Sequence, residues 1–278
     1  MTLTRRQVTE LLERHGLSPS RALGQNFVAD PNTVRRIVRV AEVGPGDPVV
    51  EIGPGVGSLT TALAEAGCVV RAVELDRHLL PVLEEVVAPL GVEVVHGDAL
   101  DLDWDPVLAG HDRWSLVANL PYNVAATIVL HLLDTAPAIE RMLVMVQREV
   151  GERLAAGPGS GAYGIPSVKV ALHASAEVVG RVPPTVFVPQ PRVESVLVRV
   201  TRSAQPAVAV DHDELMALVR RAFGQRRKML RRSLAGVVTE DAFGAAGVAP
   251  TARPEQLGVQ EWGSLTEAVL ASREAHRP

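Results

Sequence analysis

The chain has 278 residues, of which 47% are hydrophobic and 22% are charged, and its formal net charge at pH 7 is −4. This composition predicts a globular protein with one large domain, or a large domain and a small one. No run of residues is long and apolar enough to span a bilayer, and the charged first residues do not resemble a signal peptide, so we expect a cytoplasmic protein. The single cysteine, Cys68, excludes an internal disulfide and a cysteine-based metal site.

A charged amphipathic helix is predicted over residues 1–16, and short β-branched runs then alternate with helical patterns from residue 48 to residue 200. Strands are predicted at Val49–Ile52, Val69–Glu74, Val92–His96, Leu116–Asn119, Met142–Gln147, Glu177–Val182 and Ser195–Thr201. Helices are predicted at Ser58–Ala66, Arg77–Ala88, Val124–Thr135, Glu149–Ala156 and Pro166–Ala174. This alternation predicts an α/β fold with a doubly wound, mostly parallel seven-stranded sheet. The last two strands are joined by a Pro-rich link without a helix, which favours an antiparallel hairpin at the sheet edge.

The pattern changes after residue 200. A linker is predicted over residues 202–210, and Asp211 or Asp213 could cap the first of several helices that follow. We therefore predict two domains, a large one over residues 1–202 and a small helical one over residues 203–278.

A glycine-rich segment, Glu51-x-Gly53-x-Gly55-x-Gly57, follows the strand predicted at Val49–Ile52. A sharp glycine turn between a strand and a helix lets a ligand approach the backbone closely. The segment does not match the dinucleotide fingerprint Gly-x-Gly-x-x-Gly in either register, because no glycine stands at the third position. It suits S-adenosylmethionine, whose amino-acid end carries no pyrophosphate.

Acidic residues end the next two predicted strands. Glu74 stands where a carboxylate can accept hydrogen bonds from both ribose hydroxyls of a nucleoside. Asp98, which is followed by Ala99, could accept a hydrogen bond from the adenine amine. Together with the glycine segment, these residues predict a binding site for S-adenosylmethionine.

The segment Asn119-Leu120-Pro121-Tyr122 ends another predicted strand, at the edge where open α/β sheets bind ligands. The lone pair of an adenine N6 amine is delocalised into the ring. The Asn119 side-chain oxygen and the Leu120 carbonyl could grip both N–H groups and direct that lone pair toward a methyl group. Pro121 would stiffen the loop, and Tyr122 could stack on the base. The four residues therefore predict the acceptor site of a base-amine methyltransferase, unless they form only an Asn-Pro turn with a core tyrosine.

Phe187 stands in a Pro-rich segment and is a candidate for a second wall of this site, or else a hydrophobic plug. The histidines show no spacing typical of a metal site, and no metal is expected.

Cations are concentrated in one segment, with no acidic residue from Leu215 to Thr239. Concentrated positive charge is what a phosphate backbone attracts. The segment predicts an RNA-docking surface, against the alternative of a solvated helix face. Its members are Arg220, Arg221, Arg226, Arg227, Lys228, Arg231 and Arg232.

Together, eight segments of this chain closely resemble the KsgA/RsmA family of ribosomal RNA adenine N6,N6-dimethyltransferases. They are Gly24–Val28, Glu51–Thr60, Val73–Asp76, Gly97–Leu100, Asn119–Asn123, Val182–Phe187, Pro189–Ser195 and Ala222–Lys228. The resemblance implies a Rossmann-like class I S-adenosylmethionine-dependent methyltransferase domain and a small helical domain. Two positions depart from the family pattern: Val28 replaces a leucine and Gly224 an asparagine.

Carried over by position, the resemblance implies donor contacts from Asn26, Val28, Gly53, Glu74, Asp98 and Asn119. It implies target-base contacts from Asn119, Leu120, Tyr122 and Phe187. The implied substrate is a pair of adjacent adenines in a hairpin loop near the 3′ end of 16S rRNA, dimethylated in the immature small ribosomal subunit during ribosome biogenesis. A monomer is expected.

Three alternatives remain open at this point. A 23S rRNA adenine methyltransferase of the macrolide-resistance type would share both sites, although the Gln225–Lys228 segment and the helical domain favour the small-subunit enzyme. A DNA adenine methyltransferase would use a similar acceptor loop, but no target-recognition domain is visible. A non-catalytic ribosome-assembly factor on the same scaffold is opposed by the presence of Asn119, Tyr122 and Glu74.

Overall fold

The computed structural model describes residues 2–20 and 22–275. Its strands are β1 (Phe27–Val28), β2 (Pro48–Ile52), β3 (Val69–Glu74), β4 (Glu93–His96), β5 (Trp114–Asn119), β6 (Ile139–Gln147), β7 (Ala174–Val182), β8 (Phe187–Val188) and β9 (Ser195–Arg202). Its α-helices are α1 (Arg5–Arg14), α2 (Pro31–Ala41), α3 (Ser58–Glu65), α4 (Leu80–Val87), α5 (Trp104–Val107), α6 (Ala125–Thr135), α7 (Arg148–Leu154), α8 (Ile165–His173), α9 (His212–Phe223), α10 (Leu230–Ser233), α11 (Glu240–Ala245) and α12 (Val259–Ala275). None of these helices combines the length and the apolar character needed to cross a membrane.

Seven strands form one sheet in the order β4-β3-β2-β5-β6-β9-β7. The strands from β4 to β6 pair in parallel, and β9 runs antiparallel to β6. The chain winds outward from β2 on one side and from β5 on the other, so the winding reverses between these two strands. The carboxyl ends of β2 and β5 therefore frame the crevice in which open α/β sheets bind ligands. This architecture confirms the predicted α/β fold.

The predicted strands and helices of the alternating region are all present, with small shifts at their ends. The helices α2 and α5 and the two-residue strands β1 and β8 were not predicted from the sequence. β1 and β8 pair with each other in a separate antiparallel ribbon, with Phe27 opposite Val188 and Val28 opposite Phe187. This ribbon ties the N-terminal segment to the Pro-rich link between β7 and β9.

Side-chain caps begin two of the helices that frame the architecture. The Asp30 carboxylate accepts a hydrogen bond from the Thr33 backbone N–H at 2.9 Å, and Pro31 occupies the first turn of α2. Asp211 caps α9 by accepting from the Glu214 N–H at 2.9 Å, which selects Asp211 over Asp213 as the cap.

Two compact units make up the chain, and their division differs from the prediction in one segment. The first unit contains residues 1–151 and 176–202. The second contains the residues after 202 and also Glu152–Ser175, which the sequence analysis placed in the large domain. The reason is apolar packing, because Tyr163, Val168 and Leu172 are buried in one cluster with residues of α9 and α12. Alternation of strands and helices along the chain does not reveal this assignment.

Each unit has its own hydrophobic core. In the first unit, one cluster joins Ile37 and Leu63 of the helices to Leu143 and Leu197 of the sheet, and all four are nearly inaccessible to solvent. In the second unit the core is built around Trp262, which is fully buried among residues of α8, α9 and α10. Helices therefore pack against the sheet of the first unit, and a ligand site can form at the edge where the parallel strands have their carboxyl ends.

Candidate active site

A cavity opens at the carboxyl edge of β2, β3 and β5, with an empty volume of about 820 Å³ including its mouth. Most of the residues that the sequence predicted for the donor and acceptor sites line it. They are Asn26, Gly53, Gly55, Glu74, Asp98, Ala99, Asn119, Leu120, Pro121 and Tyr122. The structure thus brings together segments that are far apart in the sequence.

The glycine turn after β2 forms one wall of the cavity, and its three glycines have φ angles of 70°, 58° and 83° in chain order. At Gly55 the need for glycine is also steric, because a Cβ atom there would lie 2.6 Å from the Phe27 ring. The backbone of the turn can therefore face a ligand without side chains in between. Gly57 itself caps α3 and does not line the cavity.

Glu74 connects the end of β3 to the glycine turn. Its carboxylate accepts hydrogen bonds from the Gly55 N–H at 3.0 Å and from the Asp76 N–H at 2.8 Å. The residue is only 5% exposed, and this burial raises the pKa of the carboxyl group above its ordinary value. A carboxylate can accept about four hydrogen bonds, so acceptor capacity remains for a ligand in the cavity.

Asp98 follows β4 and lines the cavity with one carboxylate oxygen bound to the Leu100 N–H at 2.9 Å. Three apolar residues that the sequence analysis did not single out lie beside it in the wall: Leu75, Leu79 and Leu100. Leu75 directly follows β3 and is 48% exposed although it is apolar. Its place next to the strand-end acid Glu74 is the signal in the sequence that could have identified it. An acid beside apolar side chains suits a planar ring that carries an amine at its edge.

Besides Gly57, two residues predicted for donor binding do not line the main cavity. Glu51 is 1% exposed under the glycine turn, and one of its carboxylate oxygens has no hydrogen-bond partner among the described residues. Burial raises the pKa of this carboxyl group to about 8, and the charge of Glu74 adds to the rise. Val28 lies in β1, and its side chain is buried in the core with Val34 and Leu59. Both residues instead line a small neighbouring cavity, together with Asn119.

Asn119 is the last residue of β5, and its amide is held in one orientation. The Nδ2 group donates a hydrogen bond to the Asn26 carbonyl at 2.8 Å. The Oδ1 atom is buried and accepts no hydrogen bond from the described residues. Leaving a buried acceptor without a donor costs free energy. An N–H group of a bound ligand could satisfy this oxygen atom.

Tyr122 is the last of the four residues of the acceptor motif, and the hydroxyl end of its side chain is held by a hydrogen bond. Its hydroxyl group forms a hydrogen bond of 2.6 Å with the Ser195 hydroxyl. Burial raises the pKa of the Tyr122 phenol, so the group stays protonated at neutral pH. Its ring lines the cavity and is available for stacking.

Phe187 occupies the second of the two places that the sequence left open, a hydrophobic plug, and does not form a wall of the cavity. It is fully buried in the core. Its ring packs edge-on against the Tyr122 ring, with centroids 6.4 Å apart and an interplanar angle of 71°. In this arrangement Phe187 supports Tyr122, and a direct contact with a base stays a prediction.

The cationic segment lies in the second unit, at the end of α9, in the following turn and in α10. All seven of its cations are exposed. Arg221 donates to the Ala235 carbonyl, and Arg226 donates to the Gly161 carbonyl and lies 4.0 Å from Glu255. The side chains of the other five make no hydrogen bond or ion pair within residues 2–20 and 22–275. Most of this charge is therefore available to a polyanion.

Within the same described ranges, no group of three or more histidine, cysteine, aspartate or glutamate side chains is placed to hold a metal ion.

The fold and the site define a class I methyltransferase. Among solved structures, a 23S rRNA methyltransferase, ErmE, matches with a TM-score of 0.66 and 28% identity over 87% of this chain and 99% of that one. A dimethyladenosine transferase from Plasmodium falciparum matches with a TM-score of 0.71 and 22% identity over 86% and 95%, a likeness of fold.

The chain also matches a family model described as ribosomal RNA adenine dimethylase over residues 17–270. A protein from Kineococcus radiotolerans is 49% identical, with 99% of this chain and 92% of the relative covered. One from Streptomyces coelicolor is also 49% identical, with 94% of each chain covered. Both carry the name ribosomal RNA small subunit methyltransferase A. The protein belongs to the ribosomal RNA adenine dimethylase family, which confirms the resemblance found in its motifs.

Proposed function

We propose that this protein dimethylates the N6 amines of two adjacent adenines in the 3′-terminal hairpin loop of 16S rRNA. It would act as a monomer in the cytoplasm, on the immature small subunit. The observation that carries the proposal is the buried, unpartnered Oδ1 atom of Asn119 at the edge of the cavity. The names of the 49% identical relatives support the choice of the small subunit.

The cavity residues fit S-adenosylmethionine as the methyl donor, because the glycine cradle leaves room for it and strand-end acids face it. Glu74 would accept from the ribose hydroxyls, and Asp98 from the adenine amine, beside the apolar side chains of Leu75 and Leu100. Asn26 and the backbone of the glycine turn would hold the amino-acid end. When bound, the donor supplies an electrophilic methyl group on a sulfonium ion.

The acceptor loop prepares the target amine. The Asn119 Oδ1 atom and the Leu120 carbonyl accept hydrogen bonds from its two N–H groups, which localises the nitrogen lone pair on the amine and withdraws it from conjugation with the ring. Pro121 limits the movement of the loop, and the Tyr122 ring stacks on the base, a contact worth about 1–3 kcal/mol for bases on aromatic side chains. A sulfonium is a good leaving group, so alignment of the reacting atoms replaces a strong general base.

The cationic segment would hold the RNA by its phosphates, while the first unit selects the base. This division of labour accounts for an exposed, acid-free run of cations in a protein whose net charge is −4.

A second candidate is methylation of 23S rRNA, which the likeness to ErmE at 28% identity favours. A role as an assembly factor without catalysis is less well supported, since Asn119, Tyr122 and Glu74 all line one cavity.

The test is transfer of a labelled methyl group from S-adenosylmethionine. The protein is incubated with immature small subunits, with large-subunit RNA and with duplex DNA, and the labelled nucleotides are mapped. Label on two adjacent adenines of 16S rRNA supports the proposal, and label only on 23S rRNA or DNA overturns it. No label on any substrate, with donor binding intact, would favour the assembly factor.

A further inference from the structure

Ser195 is the residue that anchors the far end of Tyr122, and nothing in the acceptor motif points to it. It is the first residue of β9 and is 0% exposed. In the sheet it pairs with Gln147 at the end of β6. Its hydroxyl lies 2.6 Å from the Tyr122 hydroxyl, so this residue of the acceptor loop is hydrogen-bonded directly to a strand of the sheet.

The two contacts of the Tyr122 ring restrict different motions. A tyrosine hydroxyl lies on the axis about which the ring rotates, so its hydrogen bond fixes the direction of that axis, and hence χ1, but not rotation about it. The edge-on contact with the buried Phe187 ring opposes that rotation. Together the two contacts fix the orientation of the Tyr122 ring plane relative to the cavity.

We propose that Ser195 is a positioning residue for base methylation, which fixes the axis of the Tyr122 ring so that the target base stacks at the height of the Asn119 Oδ1 atom. The inference rests on the proposed transfer to an adenine amine. Stacking on a ring with a free χ1 would still hold the base, but it would spread the amine over several positions. Because the reacting atoms must be aligned, the consequence falls on turnover rather than on RNA binding.

The first test is a double-mutant cycle with Ser195→Ala and Tyr122→Phe, each of which removes one partner of the hydrogen bond. Each variant should lose about tenfold in kcat with an unchanged KM for the RNA substrate, within the range of one neutral hydrogen bond. The double variant should lose no more than either single one, because both changes remove the same interaction. Ser115→Ala is the matched control, since Ser115 is a buried serine near the start of β5, at the other end of the sheet, and it should keep wild-type turnover.

The second test reads the ring itself without donor or RNA. The chain contains two tyrosines, so labelled tyrosine gives two sets of NMR signals that Tyr122→Phe assigns. Couplings between Hα and Hβ of Tyr122 report its χ1 rotamer. The proposal expects a single rotamer in the wild type and in Ser115→Ala, and averaged couplings in Ser195→Ala. If the hydrogen bond is irrelevant, Ser195→Ala will show the same single rotamer as the wild type.

The outcomes separate this inference from the proposed function. A Ser195→Ala variant with wild-type kcat, additive losses in the double variant, or a single rotamer in Ser195→Ala would each overturn the role of Ser195. If Ser195→Ala fails to fold, Tyr122→Phe alone still decides the matter, because wild-type turnover in that variant contradicts the proposal. Absence of adenine methylation by the wild type would overturn the proposed function, and the NMR couplings would still show whether Ser195 holds the ring.

Discussion

At the scale of single residues, Asn119 shows how one side chain can be oriented by a bond that takes no part in the chemistry. Its Nδ2 group is occupied by the Asn26 carbonyl, which leaves Oδ1 as the free acceptor. We expect Asn119→Ala to lower kcat by roughly a hundredfold, the scale found when one aligned hydrogen-bonding group is removed from a transition state. Turnover with labelled donor measures the loss.

The control for this prediction is Asn123→Ala. The Asn123 amide donates to the Ala22 carbonyl at 3.2 Å from an exposed position in the same loop. It should retain most of the activity. Near wild-type turnover in Asn119→Ala, with the fold intact, would remove Asn119 from the acceptor site.

Glu74 is predicted to determine donor affinity. Glu74→Ala should weaken binding of S-adenosylmethionine by about tenfold to a hundredfold, because the variant removes a charged acceptor worth roughly 1.5–3 kcal/mol and also frees the Gly55 N–H. Glu74→Gln, which keeps one acceptor oxygen, should lose less. Calorimetry measures the affinities, with the exposed Glu84→Ala as the control, and equal affinity in all variants would reject the assignment.

The buried Glu51 carboxyl group should make the free energy of unfolding depend on pH. Its folded pKa of about 8 lies above that of an unfolded glutamate, so between about pH 5 and 8 the folded state holds a proton that the unfolded state has released. Its contribution to the free energy of unfolding is therefore complete at low pH and falls by roughly 1.4 kcal/mol for each pH unit as pH rises through this window. The Glu51→Gln variant should show a flatter stability curve there.

Urea unfolding at several pH values between 5 and 8 tests this expectation. Some slope should remain in Glu51→Gln, because burial also raises the pKa of Glu74. The exposed Glu84→Gln should follow the wild type. Parallel curves for Glu51→Gln and the wild type would show that the Glu51 carboxyl titrates alike in both states.

At the scale of elements, the turn between α9 and α10 carries the RNA prediction. Replacing Arg227, Lys228 and Arg231 with alanine should weaken binding to RNA or small subunits. It should also flatten the dependence of log affinity on log salt by about 0.7–0.9 for each lost phosphate contact. Donor affinity should not change, since these residues lie in the second unit and the donor cavity in the first.

The control removes an equal charge from elsewhere. Arg39, Arg113 and Arg141 are exposed in the first unit, and Arg113 and Arg141 lie at the end of the sheet where the parallel strands begin. Their triple alanine variant should keep the wild-type salt slope. The same slope in both triple variants would place RNA docking on another surface.

The same scale shows what a sequence can predict. The strands β2, β3 and β5 are runs of β-branched and apolar residues. Gly53 follows β2, and Glu74 and Asn119 end β3 and β5, so both the strands and the site at their ends were recognisable. β1 and β8 were not, because a two-residue strand has no periodicity and exists only through its partner. The place of Phe187 and the bond to Ser195 likewise depend on contacts between distant segments.

At the scale of the whole molecule, the second unit is built from two pieces of chain. Truncation after residue 202 should leave Tyr163, Val168 and Leu172 without the core that buries them. We therefore expect such a fragment to bind an apolar dye strongly and to unfold at a lower temperature than the full chain.

A second fragment tests whether the exposed apolar side chains of residues 155–173 cause the dye binding. It also ends at residue 202, but a flexible Gly-Ser linker replaces residues 155–173, which removes the stranded apolar side chains. It should bind less dye than the first fragment. Equal dye binding by the two fragments would mean that residues 152–175 do not depend on the second unit for their burial.

The bond between the Asn119 amide and the Asn26 carbonyl has an evolutionary consequence. An aspartate at position 119 would keep an acceptor for the amine but would place a negative oxygen against that carbonyl, and the N-terminal segment would lose its hold on the loop. We therefore expect Asn119→Asp to be tolerated only together with a compensating change in the backbone around position 26. The two positions are therefore epistatic, and the N-terminal segment around Asn26 limits which substitutions the acceptor motif can accept during evolution.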